Sequence, residues 1–354
     1  KDKAEKLMRM ALYLDPKNRF VARAAARFYI HIGDNERAAE IVRKTGFSRF
    51  DPWLMASDIS IAMMRGKRSG NIKKGQQMIF SSSYTPFSIS ELASALGTVE
   101  MEYGTRKKSR DLFNQSLVDP NDNSLAQAEW AMISARIPIT IQSGLNVKCS
   151  HESKVYKALE LNDARESIHH AIDWICDMPF SLKPVFIGYE ISTSLLRDYD
   201  LSSNILGVGL KSHPNDPWML NNRAYVNARI NKLDEAEKDM EQLEHCNKAL
   251  SESMSICKEA THGLIAYRRK DREKGRKLYE QAILRASTMK ENSEEIKVKA
   301  QINMLREEII FSNYQNTSAL MELEQLVIPN EKLELVKLRN EVFDEMKKNE
   351  KNQG

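Results

Sequence analysis

The chain has 354 residues, 42% of them hydrophobic and 29% charged, with a formal net charge of +4. That length exceeds what one compact core usually holds, the composition excludes a disordered chain, and no apolar run of about 18 residues is present to cross a membrane. The small positive surplus permits contact with acidic partners or nucleic acid without demanding it. Four cysteines, Cys149, Cys176, Cys246 and Cys257, form no CxxC pair. Their scatter predicts reduced, buried thiols and a cytoplasmic protein.

In chain order, the first helical stretch carries Ala4, Met8 and Ala11 on one face and stops at Pro16. Ala22, Ala26 and Tyr29 lead to Gly33, and Ala38 and Val42 follow on the next helix. DPWLM at 51–55 returns as DPWML at 216–220, and ALYLDP at 11–16 is echoed by SLVDP at 116–120 and GLKSHP at 209–214. In KLDEAEKDMEQLE, Leu233, Ala236, Met240 and Leu243 recur at helical steps on one face. A period in the thirties with helical content predicts paired-helix repeats, whose apolar faces are buried only by stacking on neighbours.

Two segments depart from this period. RIPITIQSGLNVKCSH at 136–151 alternates apolar residues and predicts a long inter-helix loop with a short extended piece. After about residue 290, EEIKVKAQINMLREEII, SALMELEQLV and NEKLELVKLRNEVFDEMKK predict helices with polar outer faces, suited to a terminal cap. The expected organisation is therefore repeats over 1–135, the irregular loop 136–151, repeats over 152–290 and capping helices over 291–354.

These positions resemble the tetratricopeptide repeat family, whose unit is about 34 residues with small residues where its two helices cross. Ala4, Met8, Ala11 and Pro16 match the second half of a unit, and Ala22 to Val42 match a whole one. Gly97, Gly104 and Phe113 match another, with Ser109 and Ser116 in place of alanine. Pro184 to Pro214 matches loosely through Leu206 and Gly209; Ala224, Ala236, Met240 and Leu243 match well, as do Gly263, Tyr279 and Ala282. The resemblance implies an all-α fold: a right-handed superhelical solenoid of antiparallel helix pairs with a helical C-terminal cap. Starting halfway through a repeat further implies the C-terminal part of a larger protein, and an uncapped beginning able to stack end to end on another copy.

Chemistry finds little support in the sequence. Asp119, Asn121 and Asn123 occupy the first, third and fifth places of a calcium loop. The sixth place holds Ser124 instead of glycine, and the twelfth holds Trp130, with Glu129 one place early. The stretch reads better as a seam, with Asn123 or Ser124 capping the following helix. His169 and His170 project about 100° apart on a helix, and with Cys176, Cys149 and His151 they show no tight ligand spacing. No GxSxG, HExxH or phosphate loop exists; GKRSG at 66–70 lacks the spaced glycine. No catalytic residue, metal or cofactor is expected.

Two surfaces remain as candidates. Arg65, Lys67, Arg68, Lys73 and Lys74 surround one inter-helix turn, and Arg106, Lys107, Lys108 and Arg110 surround the next equivalent turn. Together they make a basic edge that could hold phosphate backbone or an acidic protein segment, although few aromatics accompany it for base stacking. The family's concave face would carry Arg23, Arg27, His31, Trp53 and Ser60, and later Trp218, Asn221 and Tyr225. The lysine–asparagine pattern of chaperone-tail-binding members is not evident. The leading expectation is a non-catalytic scaffold binding a protein or peptide. One alternative is a regulatory or target-sensing arm of a larger enzyme: SLVDPNDNSLAQAEWA and the run from DWICDMPFSLKP to LNNRAYVNA look like bacterial repeat regions fused behind PIN-type nucleases. Another is nucleic-acid binding through the basic edge.

Overall fold

The computed structural model describes residues 2–81, 83–141, 147, 149–246, 250–289, 293–329 and 332–353. These residues form α1 (Asp2–Leu14), α2 (Arg19–His31), α3 (Asn35–Lys44), α4 (Pro52–Met64), α5 (Ile72–Ile79), α6 (Pro86–Tyr103), α7 (Arg106–Ser116), α8 (Asp122–Ala135), α9 (His151–Glu160), α10 (Ala164–Asp177) and α11 (Leu182–Glu190). After a π turn at Ile191–Leu195 come α12 (Tyr199–Ser212), α13 (Pro217–Arg229), α14 (Leu233–Glu244), α15 (Glu252–Arg268), α16 (Arg272–Thr288), α17 (Ser293–Phe311), α18 (Thr317–Gln325) and α19 (Leu333–Gln353). No strand occurs among the described residues. The chain divides into two compact units, Lys1–Gly188 and Tyr189–Gly354, with the division inside α11.

Helix starts follow from short polar caps. Asp51, Thr85 and Asp216 each accept backbone N–H bonds and precede a proline at the first helical position, where its fixed φ fits and its missing N–H is not needed. The seam at 119–124 is a capping box, in which Asn121 Oδ1 accepts from Ser124 N and Ser124 Oγ accepts from Asn121 N. The cap is thus Asn121, two or three residues earlier than the sequence suggested.

The turns inside the pairs share one geometry. Gly33, Gly66, Asn162, Asn231 and Lys270 all adopt left-handed φ between 57° and 83°. The residue after each donates its N–H five residues back, as from Asp34 to Tyr29, Asp163 to Ala158 and Asp271 to Ala266. This Schellman arrangement satisfies the last carbonyls of one helix and delivers the cap of the next.

In the first unit α2 packs with α3, α6 with α7 and α9 with α10, while α2, α4, α6, α8 and α9 stack in a row. Contact is close where small residues meet aromatics: a Cβ on Gly97 would lie 3.1 Å from the Phe113 ring, and Ser109 Oγ donates to Gly97 O. The irregular segment has a definite job at its start. Ile137 and Ile139 are buried against Phe113, Leu117, Leu125 and Ala128, where a second helix would otherwise cover α8. Residues 142–146 and 148 of that expected loop lie outside the described residues.

In the second unit α13 pairs with α14, α15 with α16 and α17 with α18, and α13, α15 and α17 stack. Helix α19 does more than cover a final face. Leu335 and Val342 bury into the α17–α18 core, while Glu341, Asp344 and Glu345 reach back to Arg197 just before α12, and to α12, α13 and α17. Tyr199 Oη donates to Glu341, Arg229 donates to Glu341 and Glu345, Arg306 to Glu345, and Arg197 to Asp344. The thiols are free, but the expectation of burial fails: Cys149 and Cys176 are exposed, and Cys246 and Cys257 are half-buried.

Candidate functional site

The row of first helices in the second unit holds a cavity of about 120 Å³, lined in part by Trp218, Asn221 and Tyr225 from α13, Ile256, Cys257 and Thr261 from α15, and Ile296, Lys299 and Asn303 from α17. A second cavity of about 60 Å³ shares Tyr189, Tyr225 and Lys299 and is closed on its far side by Leu335, Leu338 and Glu341 of α19. Stacking of α13, α15 and α17 places their inward residues side by side, so residues some 80 positions apart meet. Tyr225 Oη donates to Asn303 Oδ1 at 3.0 Å and accepts from Arg229 Nη1 at 2.9 Å, which fixes the ring.

The charge balance of this cavity is uneven. The Lys299 side chain is open to solvent, and its ammonium has no hydrogen-bond or ion-pair partner among the described residues. Crowding by the walls pushes its pKa down, but Tyr189, Tyr225, Cys257 and Glu334 outweigh this and leave it above the ordinary lysine value. Lys299 is therefore a cation at neutral pH. Burial pushes the Tyr189 phenol up to about 12 and raises the Cys257 thiol, so both are neutral there. Asn221 is 4% exposed, and its Oδ1 is buried without a donor. Trp218 is 39% exposed at the same place. Of the cavity residues, Trp218, Asn221 and Tyr225 are among those expected on the concave face; Lys299 and Asn303 are not, because the repeat signature fades before α17.

The first-unit residues expected on the concave face are engaged within the molecule. The Arg23 guanidinium pairs with Glu91 of α6 and lies 4.2 Å over the Trp53 ring. Glu91 also accepts from Asn121 Nδ2 at 2.6 Å. Burial raises the Glu91 pKa, against the pull of Arg23 and the Asn121 bond. Trp53 packs edge-on against Phe20 and Phe87 of the flanking helices. Arg27 stands 3.6 Å from Asp122, and burial together with Arg27 lowers His31 to about 4, so His31 is neutral. Ser60 is half-buried on α4. The one clue to this network was Glu91, the single acid in the apolar run SISELASALG.

The basic edge is partly consumed. Arg65 pairs with Glu36, Arg106 donates to the last carbonyls of α8 at Ala135 and Arg136, and Arg110 pairs with Asp111. Lys74 lies 4.3 Å over the Phe50 ring, and Lys67 acts on Glu36. Arg68, Lys73, Lys107 and Lys108 have no side-chain hydrogen-bond or ion-pair partner among the described residues. Helices α4 and α6, which these two turns follow, pack together.

One cluster that sequence spacing did not reveal lies on α9 and α10. His151, His170 and Asp173 each offer a ligand atom within 4.8 Å of the others. The antiparallel α9–α10 pair, rather than the His169–His170 adjacency, creates this convergence.

No family model matches the sequence, and no curated protein matches it. Among solved structures, a tetratricopeptide repeat protein from Parabacteroides merdae aligns at 14% identity, over 79% of this chain and 97% of that chain, with a TM-score of 0.34. A superposition this loose transfers no residue role to the chain. Paired, stacked helices are established by the chain's own packing.

Proposed function

We propose that the chain is a non-catalytic protein-binding scaffold, and that the second unit receives a partner segment at the cavity between α13, α15 and α17. The unpartnered Lys299 ammonium beside the half-exposed Trp218 carries this reading. A cation with no direct ion-pair contact among the described residues, lining the same cavity as exposed aromatic surface, favours a ligand carrying an acid and an apolar group together. At about 120 Å³ the cavity suits one side chain rather than a drug-sized molecule. An apolar side chain would lie between Trp218, Ile256 and Ile296, a carboxylate would reach Lys299, and an N–H would satisfy Asn221 Oδ1.

The test is selection of peptides from a random display library on the full chain. Selected peptides should pair an Asp or Glu with a large apolar residue. Lys299→Glu and Trp218→Ala should each weaken them at least about tenfold, and the Lys299 contribution should shrink with salt. Selected peptides that bind both variants as tightly as the parent would refute the assignment.

A further inference from the structure

We propose that His151, His170 and Asp173 form a zinc-class divalent metal site clipping the start of α9 to the middle of α10. His151 is the first residue of α9, and His170 and Asp173 lie one turn apart on α10. Their ligand atoms lie within 4.8 Å of one another. Two features distinguish the trio from a chance meeting of polar side chains.

The first is unmet bonding capacity. The Nδ1 atoms of both His151 and His170 are buried without a hydrogen-bond partner. A buried imidazole nitrogen left alone is costly, and each of these two belongs to a residue of the converging trio. His151 Nδ1 stands 3.8 Å from Asp173 Oδ2. That is too long for a hydrogen bond. It lies close to the ~3.3 Å between two ligands about 2.0–2.1 Å from one tetrahedral centre.

The second is an orienting partner. His170 Nε2 stands 3.0 Å from Glu166 Oε1, one helical turn earlier. A carboxylate there favours the proton on Nε2 and leaves Nδ1, which is buried without a partner, as the free lone pair, the division of labour that metal-bound histidines use. Two imidazoles and a carboxylate suit a borderline cation such as Zn²⁺ and discriminate against Mg²⁺ and Ca²⁺, which prefer all-oxygen shells. Three protein ligands leave the fourth tetrahedral position to solvent.

The full chain, stripped with a chelator, is titrated with ZnCl₂ against a chromophoric competitor, and its Tm is followed with and without Zn²⁺. One equivalent should bind and raise the Tm, while Mg²⁺ and Ca²⁺ should do neither. His151→Gln, His170→Gln and Asp173→Asn should each weaken Zn²⁺ by at least about tenfold; His262→Ala, a histidine of the second unit, should leave affinity unchanged. Absence of a saturable single equivalent in the parent chain overturns the site, as does an affinity that none of the three substitutions alters. Should the variants unfold, X-ray absorption at the zinc edge of the loaded parent decides: a first shell containing two imidazoles supports the trio, and a shell without imidazole overturns it.

Discussion

Glu129→Gln should remove a pH-dependent weakness from the first unit. Glu129 lies on α8, is 3% exposed, and accepts no hydrogen bond from any described side chain or backbone. Burial, followed by the nearby Glu160 carboxylate, raises its pKa from the ordinary 4.5 to about 7, with Lys157 giving only partial relief. Below the unfolded value both states hold the proton and nothing is lost. As pH rises from about 4.5 to about 7, the unfolded chain ionises while the folded one resists, so stability falls across that window and stays low above it. At about 1.4 kcal/mol per pH unit, the accumulated loss is about 2–3.5 kcal/mol, the lower figure allowing for water entry around the carboxylate. Glutamine keeps the shape and cannot ionise. Urea unfolding of both proteins at pH 5 and pH 8 measures the difference, with hydrogen exchange of α8 amides locating it. The variant should gain less than about 1 kcal/mol at pH 5 and about 2–3.5 kcal/mol at pH 8. A stability difference that does not change between those pH values refutes the reasoning.

Other outcomes follow from packing and charge. Gly275→Ala should destabilise the α15–α16 pair by about 1–3 kcal/mol, because the new methyl would sit 2.5 Å from the Tyr267 ring; thermal unfolding measures it, and pairing with Tyr267→Leu should recover part of the loss. Arg229→Ala should cost about 3–5 kcal/mol, since the guanidinium is 1% exposed and its removal strands Glu341; faster hydrogen exchange in α19 should accompany it. Acid should loosen the same contact. Burial pushes Glu345 up, but Arg306 and Arg229 outweigh this and hold it below the ordinary glutamate value, so its contribution is present above that value and disappears as pH falls further. Reversing Lys67, Arg68, Lys107 and Lys108 to glutamate should abolish any salt-sensitive retention of nucleic acid; retention unchanged in affinity and salt slope would exclude the basic edge as the contact.

What was legible in the sequence was local. Asp51-Pro52 and Asp216-Pro217 announce helix starts because cap and proline act within four residues, and Ala38, Gly97 and Ala236 mark close helix crossings because size alone decides them. The site depends on distant partners. Lys299 looks like any lysine on a polar helix until α13 and α15 stack beside it. Arg23 looks free until Glu91, 68 residues later, pairs with it. The His151–His170–Asp173 cluster requires the turn at Asn162 to fold α10 back along α9, a relation that helical spacing does not contain.

The reach of α19 has a consequence in time. Tyr199 finds its acceptor Glu341 142 residues later, and Arg197 finds Asp344 147 residues later. At about 5–20 residues per second on a ribosome, those partners arrive roughly 7–30 seconds after the residues that need them. For most of that interval Arg229 is made but lacks Glu341 and Glu345; Arg306, 39 residues before Glu345, follows only near its end. Synthesis speed across residues 230–340, and any acidic chaperone surface nearby, therefore acts on a helix row still waiting for its lid.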